Sequence, residues 1–222
     1  MVKVKICGIT NLEDALEAAE YGADLLGFIF VEGTPRFLTR ERAKAITAGL
    51  DAAGVRAGRT ALFKDEDIDK AAEMIAACGM DHVQLHGEET PDYCVKLKEA
   101  LGEKYGLEVK IIKTFKVADG IMPHSASGPD DYKEADYFLF DTYHPELAGG
   151  SGLSFDRDIL AREKENIGKP FFIAGGLTPE NVSGAVRAVR PYGVDTSSGV
   201  ERKPGKKDGD LLKEFIKNAK RT

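Results

Sequence analysis

The chain has 222 residues, of which 42% are hydrophobic and 31% are charged, and its formal net charge is −6. With a pI near 5.4, it lacks the basic footprint of a general nucleic-acid-binding protein, although a local basic pocket for a small anion is compatible with this balance. No apolar run is long enough to form a membrane helix. One domain spanning residues 1–222 can bury a sufficient core without disulfides or metals.

The cysteines of the chain are Cys7, Cys78 and Cys94. Three thiols cannot all pair, and their spacings match no zinc motif, so we expect no metal site. Reduced thiols are typical of a cytoplasmic protein. Residues 2–6 alternate in polarity and lack the longer apolar stretch of a secretory signal.

Eight short apolar runs, several of them rich in β-branched or aromatic residues, are predicted to form strands. These strands are expected at residues 2–7, 25–30, 59–63, 82–86, 109–115, 137–141, 171–174 and 193–196.

Helical patterns alternate with the strands, and they are expected at residues 11–21, 40–48, 68–78, 91–101, 179–189 and 210–219. Such alternation indicates parallel β-α units, because each parallel strand pair needs a crossover connection. The count of eight predicts an α/β fold, the closed (β/α)8 TIM barrel, in preference to an open doubly wound sheet. Residues 116–136 are irregular and polar, and we expect a loop there.

In a (β/α)8 barrel, function is located at the carboxyl ends of the strands. This rule selects the segments that contain most of the unusual residues of the chain. They are residues 7–8, 31–36, 86–87, the segment after 114, 141, 175–176 and 195–199.

Cys7 ends the first predicted strand and is followed by Gly8. A thiol at a strand end can act as a base or nucleophile if a helix N-terminus or a positive neighbour lowers its pKa. The alternative is a buried cysteine that serves as a small hydrophobic residue, which is the interpretation we adopt for Cys78 and Cys94.

Asp141 ends the apolar run 137–140. Partial burial raises the pKa of a carboxyl group, so Asp141 could hold a proton near neutral pH and act as a general acid. The alternative is an aspartate that caps the next loop.

Glycines recur in three late loops, in residues 149–152, 175–176 and 197–199. Backbone N–H groups without neighbouring side chains can approach an anion, and barrels often bind phosphate in the loops after strands seven and eight. Each Gly-Gly pair can also be explained as a tight turn that needs a positive φ. The candidate phosphate-binding residues are Gly152, Gly175, Gly176, Ser198 and Gly199.

Two further side chains are candidate substrate contacts. Arg36 lies in the loop after the second strand, where a guanidinium could bind a carboxylate through two hydrogen bonds, or could be a solvated surface charge. His86 ends the fourth strand, and either substrate or a loop carbonyl could satisfy its ring.

Taken together, these segments resemble the phosphoribosylanthranilate isomerase family over essentially the whole chain. The matching segments occur in the correct order, which makes the resemblance specific. They are residues 5–10 (KICGIT), 22–24 with 27–30, 34–36 (TPR), 83–87 (VQLHG), 140–142 with 149–152, 155–156, 174–177 with 179–182, and 193–195 with 197–201.

The sequence departs from the family pattern at four places. Thr34 stands where serine is usual, Ser151 where threonine is usual, and Arg157 where an aromatic residue is common. Residues 59–63 also match poorly. None of these departures involves the candidate acid or base.

The resemblance implies an Amadori rearrangement of N-(5′-phosphoribosyl)anthranilate to 1-(2-carboxyphenylamino)-1-deoxyribulose 5-phosphate, in tryptophan biosynthesis. It implies that Asp141 is the general acid and Cys7 the general base, without a metal or organic cofactor. Arg36 would hold the anthranilate moiety, Asp195 would contact the opened sugar, and the glycine loops would bind phosphate. The expected partner is this small-molecule substrate, and the chain is expected to be a monomer or a homodimer.

Two rival hypotheses remain at this point. The histidine-pathway isomerase that performs the same rearrangement uses an aspartate at the end of strand one, so Cys7 argues against that identity, although dual activity stays open. A non-catalytic sugar-phosphate-binding protein would keep the glycine loops but would need neither Cys7 nor Asp141.

Overall fold

The computed structural model describes residues 1–117, 128–141, 160, 164 and 167–221. Within them, eight parallel strands pair in sequence order and close into a barrel, with β8 next to β1. The strands are β1 (Lys3–Ile6), β2 (Leu25–Ile29), β3 (Gly58–Phe63), β4 (His82–Leu85), β5 (Lys110–Lys116), β6 (Tyr137–Asp141), β7 (Phe171–Ala174) and β8 (Gly193–Thr196).

Six α-helices are described in the connections between the strands and after the last one. They are α1 (Leu12–Glu20), α2 (Arg40–Ala52), α3 (Ile68–Cys78), α4 (Pro91–Tyr105), α5 (Val182–Val189) and α6 (Gly209–Lys220). The predicted (β/α)8 barrel is therefore confirmed. None of the described helices combines the length and the apolar character needed to cross a membrane.

Local sequence explains where several helices begin. The Asn11 side chain caps α1 by accepting the Asp14 N–H at 2.9 Å. Thr90 caps α4 in the same way, through the Tyr93 N–H at 3.3 Å. Pro91 then occupies the first turn of α4, where no N–H is needed.

Most of the hydrophobic core lies between the strands and the helices, because alternate strand residues point outward to the helix layer. The barrel interior holds a smaller apolar cluster of Leu25, Ile112, Leu139, Phe172 and Ala174. The interior also buries polar side chains, namely Lys5, Thr60, Gln84, Thr114 and Asp195. Two of these, Lys5 and Asp195, lie next to each other on the paired strands β1 and β8.

Several predicted boundaries were wrong. Helices α2 and α4 were expected to end at residues 48 and 101, but they continue to Ala52 and Tyr105. Residue 116 belongs to β5, and the described part of the expected loop contains one short 3-10 turn, Pro129–Asp131; residues 118–127 lie outside the described residues. The helix expected from residue 179 begins at Val182. Asn181 delays it, because its side chain accepts the Thr178 N–H at 2.9 Å and thereby stabilises a turn.

A short antiparallel hairpin follows β8 and was not predicted. It consists of β9 (Glu201–Lys203) and β10 (Lys206–Lys207). Gly205, with φ of +80°, lies in the turn between them. The hairpin brings two charged side chains, Glu201 and Lys207, to the carboxyl end of the barrel.

Candidate active site

A cavity of about 350 Å³ opens at the carboxyl ends of the strands. Every predicted site residue that the structure describes lines this cavity: Cys7, Arg36, His86, Asp141, Gly175, Gly176, Asp195, Ser198 and Gly199. The remaining predicted residue, Gly152, lies outside the described residues. Closure of the barrel gathers these side chains, because they come from strand ends and loops far apart in the sequence.

A larger cavity of about 980 Å³ lies at the opposite end of the barrel. Its lining includes Lys3, Gly58 and His82, which begin their strands. None of the predicted site residues within the described chain lines it. Since the amino-terminal face of such barrels serves stability rather than chemistry, the smaller cavity is the candidate active site.

Cys7 directly follows β1, and only 4% of the residue is exposed. Its N–H donates to the Thr196 carbonyl at 2.8 Å, which fixes the strand end against β8. Burial raises the pKa of the Cys7 thiol, and although the Lys5 and Lys207 ammonium groups oppose this, the net shift is upward. Positive neighbours are therefore present, but the desolvation of the Cys7 thiol outweighs their effect on its pKa.

Lys5 is fully buried, and its Nζ lies 2.7 Å from Asp195 Oδ1. Burial alone would lower the pKa of Lys5, but the adjoining Asp195 carboxylate and the Cys7 side chain raise it overall. Asp195 thus holds a buried cation and lines the cavity at the same time. One feature of the sequence points to Lys5, namely a lysine within a predicted barrel strand. Both faces of such a strand are covered, so a lysine there must be buried and needs a charged partner.

Arg36 is oriented by Glu201 through two hydrogen bonds, Nε to Oε1 at 2.8 Å and one terminal nitrogen to Oε2 at 2.6 Å. The fully buried Lys207 donates to the same Glu201 carboxylate at 3.0 Å and to the Cys7 carbonyl at 2.5 Å. A guanidinium has five N–H donors, so these bonds leave donors for an anion in the cavity. Glu201 and Lys207 were not predicted as site residues, and Lys207 has no local signal in the sequence.

His86 and Asp141 face each other, with 3.8 Å between His86 Nε2 and Asp141 Oδ2. Burial lowers the pKa of His86, and the Asp141 carboxylate only partly opposes this. On its other side, the His86 ring lies 3.2 Å from the Gln84 amide nitrogen. The lowered pKa favours the neutral imidazole at neutral pH. A neutral ring can either donate a hydrogen bond to Asp141 or accept one from it.

The glycine loops after β7 and β8 adopt conformations that need glycine. Gly175 and Gly176 have φ of +94° and +60°, in the left-handed region. A side chain at Gly199 would place its Cβ 1.9 Å from the Leu177 carbonyl oxygen. The loops after β7 and β8 are therefore too close at this point to accommodate any side chain at residue 199. Ser198–Val200 forms a short 3-10 turn at this point.

Two buried polar atoms on the cavity wall have no hydrogen-bond partner within the described part of the chain: Ser197 Oγ and Gln84 Oε1. An unsatisfied buried polar group costs about 1–3 kcal/mol. A ligand that bonds to these atoms would remove the cost. Among the described residues, no three His, Cys, Asp or Glu side chains cluster as a metal site requires.

Comparison with known proteins identifies the family. The family model for N-(5′-phosphoribosyl)anthranilate (PRA) isomerase matches residues 4–218. The N-(5′-phosphoribosyl)anthranilate isomerase of Geobacter metallireducens is 45% identical over 220 residues, which cover 99% of this chain and 100% of the relative.

Solved structures agree with this result. The phosphoribosyl anthranilate isomerase of Thermotoga maritima superposes with a TM-score of 0.82 at 38% identity, over 100% of both chains. A phosphoribosyl anthranilate isomerase in complex with reduced 1-(o-carboxyphenylamino)-1-deoxyribulose 5-phosphate gives a TM-score of 0.79 at 36% identity, again over 100% of both chains. The chain therefore belongs to the phosphoribosylanthranilate isomerase family.

Proposed function

We propose that the chain converts N-(5′-phosphoribosyl)anthranilate to 1-(2-carboxyphenylamino)-1-deoxyribulose 5-phosphate, with Asp141 as general acid and Cys7 as general base. The observation that carries the proposal is that one cavity exposes the thiol, the carboxyl group, a guanidinium and two glycine loops together. A related isomerase binds a reduced form of the proposed product, which supports the same substrate for this chain.

The substrate carries a phosphate and a carboxylate, and the cavity offers a group for each. The phosphate is assigned to the backbone N–H groups of residues 175–176 and 198–199, helped by the Ser197 hydroxyl, which has no hydrogen-bond partner among the described residues. Gly152, outside the described residues, is proposed to join them. The anthranilate carboxylate is assigned to Arg36, whose orientation Glu201 fixes. The sugar is then assigned to the space between Cys7 and Asp141, at the ends of β1 and β6.

In the first step, Asp141 donates a proton to the ribose ring oxygen. The bond from C1′ to that oxygen breaks, and the nitrogen lone pair forms a C1′=N iminium. The proton ends on the new hydroxyl, and Asp141 is left as a carboxylate. His86, at 3.8 Å from Asp141, can donate or accept a hydrogen bond as the charge on this carboxyl changes.

In the second step, the Cys7 thiolate removes the proton from C2′. The electrons of that C–H bond form C1′=C2′ and neutralise the iminium nitrogen, giving an enolamine that tautomerises to the C2′ ketone. Burial raises the pKa of Cys7. The positive charge of the iminium acts in the opposite direction, so the base becomes available when its substrate is present. Asp195, which lines the cavity beside Cys7, is assigned to a hydroxyl group of the opened sugar.

The test is the loss of anthranilate-type fluorescence when purified protein meets N-(5′-phosphoribosyl)anthranilate generated in situ. Cys7→Ala and Asp141→Asn should each lower turnover by about 10²- to 10⁴-fold, the usual contribution of general acid–base catalysis, while substrate binding persists. Cys94→Ala is the matched control, because Cys94 is buried on α4 and does not line the cavity. Wild-type-like turnover in either active-site variant would remove that residue from its role.

We also propose that the protein acts in the cytoplasm. Cys7, Cys78 and Cys94 are all free thiols, and the proposed base needs Cys7 reduced. A reducing compartment preserves that state. Fractionation of cells followed by the fluorescence assay should find the activity with cytoplasmic markers.

For the quaternary structure we propose a monomer or a homodimer. A similar structure describes monomers derived from a dimeric isomerase of Thermotoga maritima, 36% identical to this chain. All residues of the candidate site come from one chain, so either state supplies a complete cavity. Sedimentation at several protein concentrations distinguishes the two.

A further inference from the structure

The Lys5 ammonium lies inside the barrel against the proposed base. Lys5 lies on β1, and Cys7 directly follows this strand. Because the two residues are two positions apart, their side chains point to the same face, into the barrel interior. A Cβ built on Gly27 of the neighbouring strand would lie 2.8 Å from Cys7 Sγ and 3.1 Å from Lys5 Nζ. The thiol and the ammonium group therefore share the space that a side chain at Gly27 would fill.

The other charged groups near Cys7 are paired with different partners. Lys207 bonds to the Cys7 carbonyl and to Glu201, and Arg36 bonds to Glu201. Lys5 instead forms its ion pair with Asp195, on β8. Burial lowers the pKa of His86, which favours its neutral form, so its ring adds no positive charge here. Lys5 is thus the cation that reaches the sulfur itself from within the barrel.

We propose that Lys5 is a positioning residue that favours the thiolate form of Cys7, with Asp195 setting the strength of this effect. The inference rests on the proposed function of Cys7 as the base. Lys5 approaches the sulfur from the barrel interior, while the substrate enters from the open end of the cavity. Lys5 therefore acts through Cys7 and not on the substrate.

The charges predict opposite effects for two substitutions. Lys5→Met removes the cation and leaves the Asp195 carboxylate beside the sulfur, so the pKa of Cys7 rises. Asp195→Asn removes the anion and leaves the cation, so the pKa of Cys7 falls. The double variant Lys5→Met/Asp195→Asn should lie between the two.

The experiment measures the rate at which iodoacetamide alkylates Cys7 in the unliganded full-length protein, as a function of pH. Mass spectrometry of the Cys7 peptide separates this thiol from Cys78 and Cys94. The alkylation midpoint of Lys5→Met should move upward by about 1–3 pH units, the usual effect of losing an adjacent opposite charge. The midpoint of Asp195→Asn should move downward. The acid limb of the pH profile of kcat should shift in the same direction as the midpoint in each variant that turns over.

Lys113→Met is the matched control. Lys113 is another barrel lysine paired with a buried carboxylate, and the Lys113 and Glu89 side chains are 3% and 1% exposed. It lines a different cavity from Cys7. This variant should lose stability without changing the Cys7 midpoint.

An unchanged Cys7 midpoint in Lys5→Met would overturn the inference. If circular dichroism shows that Lys5→Met does not fold, the Cys7 midpoint of Asp195→Asn becomes the test. An unchanged or raised midpoint in Asp195→Asn would then overturn the inference. The thiol titration does not require turnover, so it separates this inference from the proposed function. Active wild-type enzyme with an unshifted Lys5→Met midpoint refutes only the role of Lys5, whereas a shifted midpoint in a protein without isomerase activity refutes only the reaction.

Discussion

Arg36 and Glu201 form a two-point ion pair at the open end of the barrel, with nitrogen–oxygen distances of 2.8 and 2.6 Å. The pair joins the loop after β2 to the hairpin after β8. Only 3% of the Glu201 side chain is exposed, compared with 21% of the Arg36 side chain. The carboxylate is therefore the fixed member, and it determines the direction in which the guanidinium points.

Glu201→Gln should weaken substrate binding more than it slows the chemical step. The amide can accept from Arg36 at only one oxygen, so the guanidinium loses its fixed orientation. A hydrogen bond to a charged group contributes about 1.5–3 kcal/mol, which corresponds to a rise in KM of roughly 10- to 100-fold. Steady-state kinetics provide the measurement, and a fall in kcat with unchanged KM would contradict this role. Glu214→Gln on α6 serves as the surface control, because that residue is exposed and outside the cavity.

Gly199→Ala should weaken the affinity for phosphate-bearing ligands. The new methyl group would meet the Leu177 backbone carbonyl at 1.9 Å, and backbone cannot move aside as a flexible side chain can. The loops after β7 and β8 must therefore separate. Inhibition by inorganic phosphate should weaken along with substrate binding.

Gly184→Ala is the control for this substitution. Gly184 lies on α5, and among the described residues no atom other than its chain neighbours and the backbone of its own helix lies within 4 Å of the added Cβ. Alanine should stabilise the helix by about 0.5–1 kcal/mol relative to glycine. Equal losses of phosphate affinity in the two variants would show that the close approach at Gly199 is not the cause.

Asp24 should make the stability of the protein depend on acid pH. Burial alone would raise the pKa of Asp24, but hydrogen bonds from Lys220, Lys3 and the Val4 amide outweigh it and hold the pKa below its ordinary value. A carboxyl group with a lowered folded-state pKa stabilises the fold above its unfolded pKa, about 3.9, and loses this contribution as pH falls through the folded-state value. Urea unfolding at several pH values should show the free energy of unfolding falling in this acid range.

Asp24→Asn should be less stable than the wild type at neutral pH, and the difference should shrink as the pH falls below 4. The matched control is Asp92→Asn, which breaks an exposed pair between side chains that are 67% and 58% exposed. Such surface pairs contribute about 0–1 kcal/mol. If the difference between Asp24→Asn and the wild type were the same at every pH, the ion pairs of Asp24 would not be its source.

The imidazole of His86 should titrate below the ordinary histidine pKa of about 6.5. Burial lowers its pKa, and the Asp141 carboxylate is the largest opposing influence. Asp141→Asn should therefore move the midpoint still lower, as followed by NMR of the ring protons. Asp136→Asn, at the other end of β6, is expected to leave it unchanged. A midpoint that rises in Asp141→Asn would show that the two groups do not interact as their 3.8 Å separation implies.

The strands could be predicted from sequence because each is a short apolar run bounded by polar or glycine-containing segments. All eight predicted runs correspond to strands, including Gly58–Phe63, where the family pattern is weak. The barrel follows from their number and alternation with helices. The hairpin formed by β9 and β10 could not be predicted in this way. In its sequence, ERKPGKK, every strand residue is charged, and the hairpin is held by long-range bonds such as that from Lys207 to the Cys7 carbonyl.

The residues that line the cavity could be predicted because they stand at strand ends, where the fold exposes side chains to a ligand. The pKa shifts of these residues could not be predicted from the sequence. Whether the pKa of Cys7 moves up or down depends on the balance between its burial and two lysines, one of them 200 residues away. The Lys5–Asp195 pair spans 190 residues and leaves no local pattern.

These long-range pairs have a consequence for how the enzyme is made. A ribosome releases Cys7 long before Asp195 and Lys207, and Lys207 follows Cys7 by 200 residues. A nascent chain that contains β1 to β7 but not β8 has the Cys7 thiol. It lacks Asp195, and therefore the ion pair between Lys5 and Asp195 beside that thiol. Products that stop before Lys207 also lack the cation bonded to the Cys7 carbonyl. The surroundings of the Cys7 thiol are therefore complete only once Lys207 has been synthesised, so we expect a chain that terminates before Lys207 to be inactive.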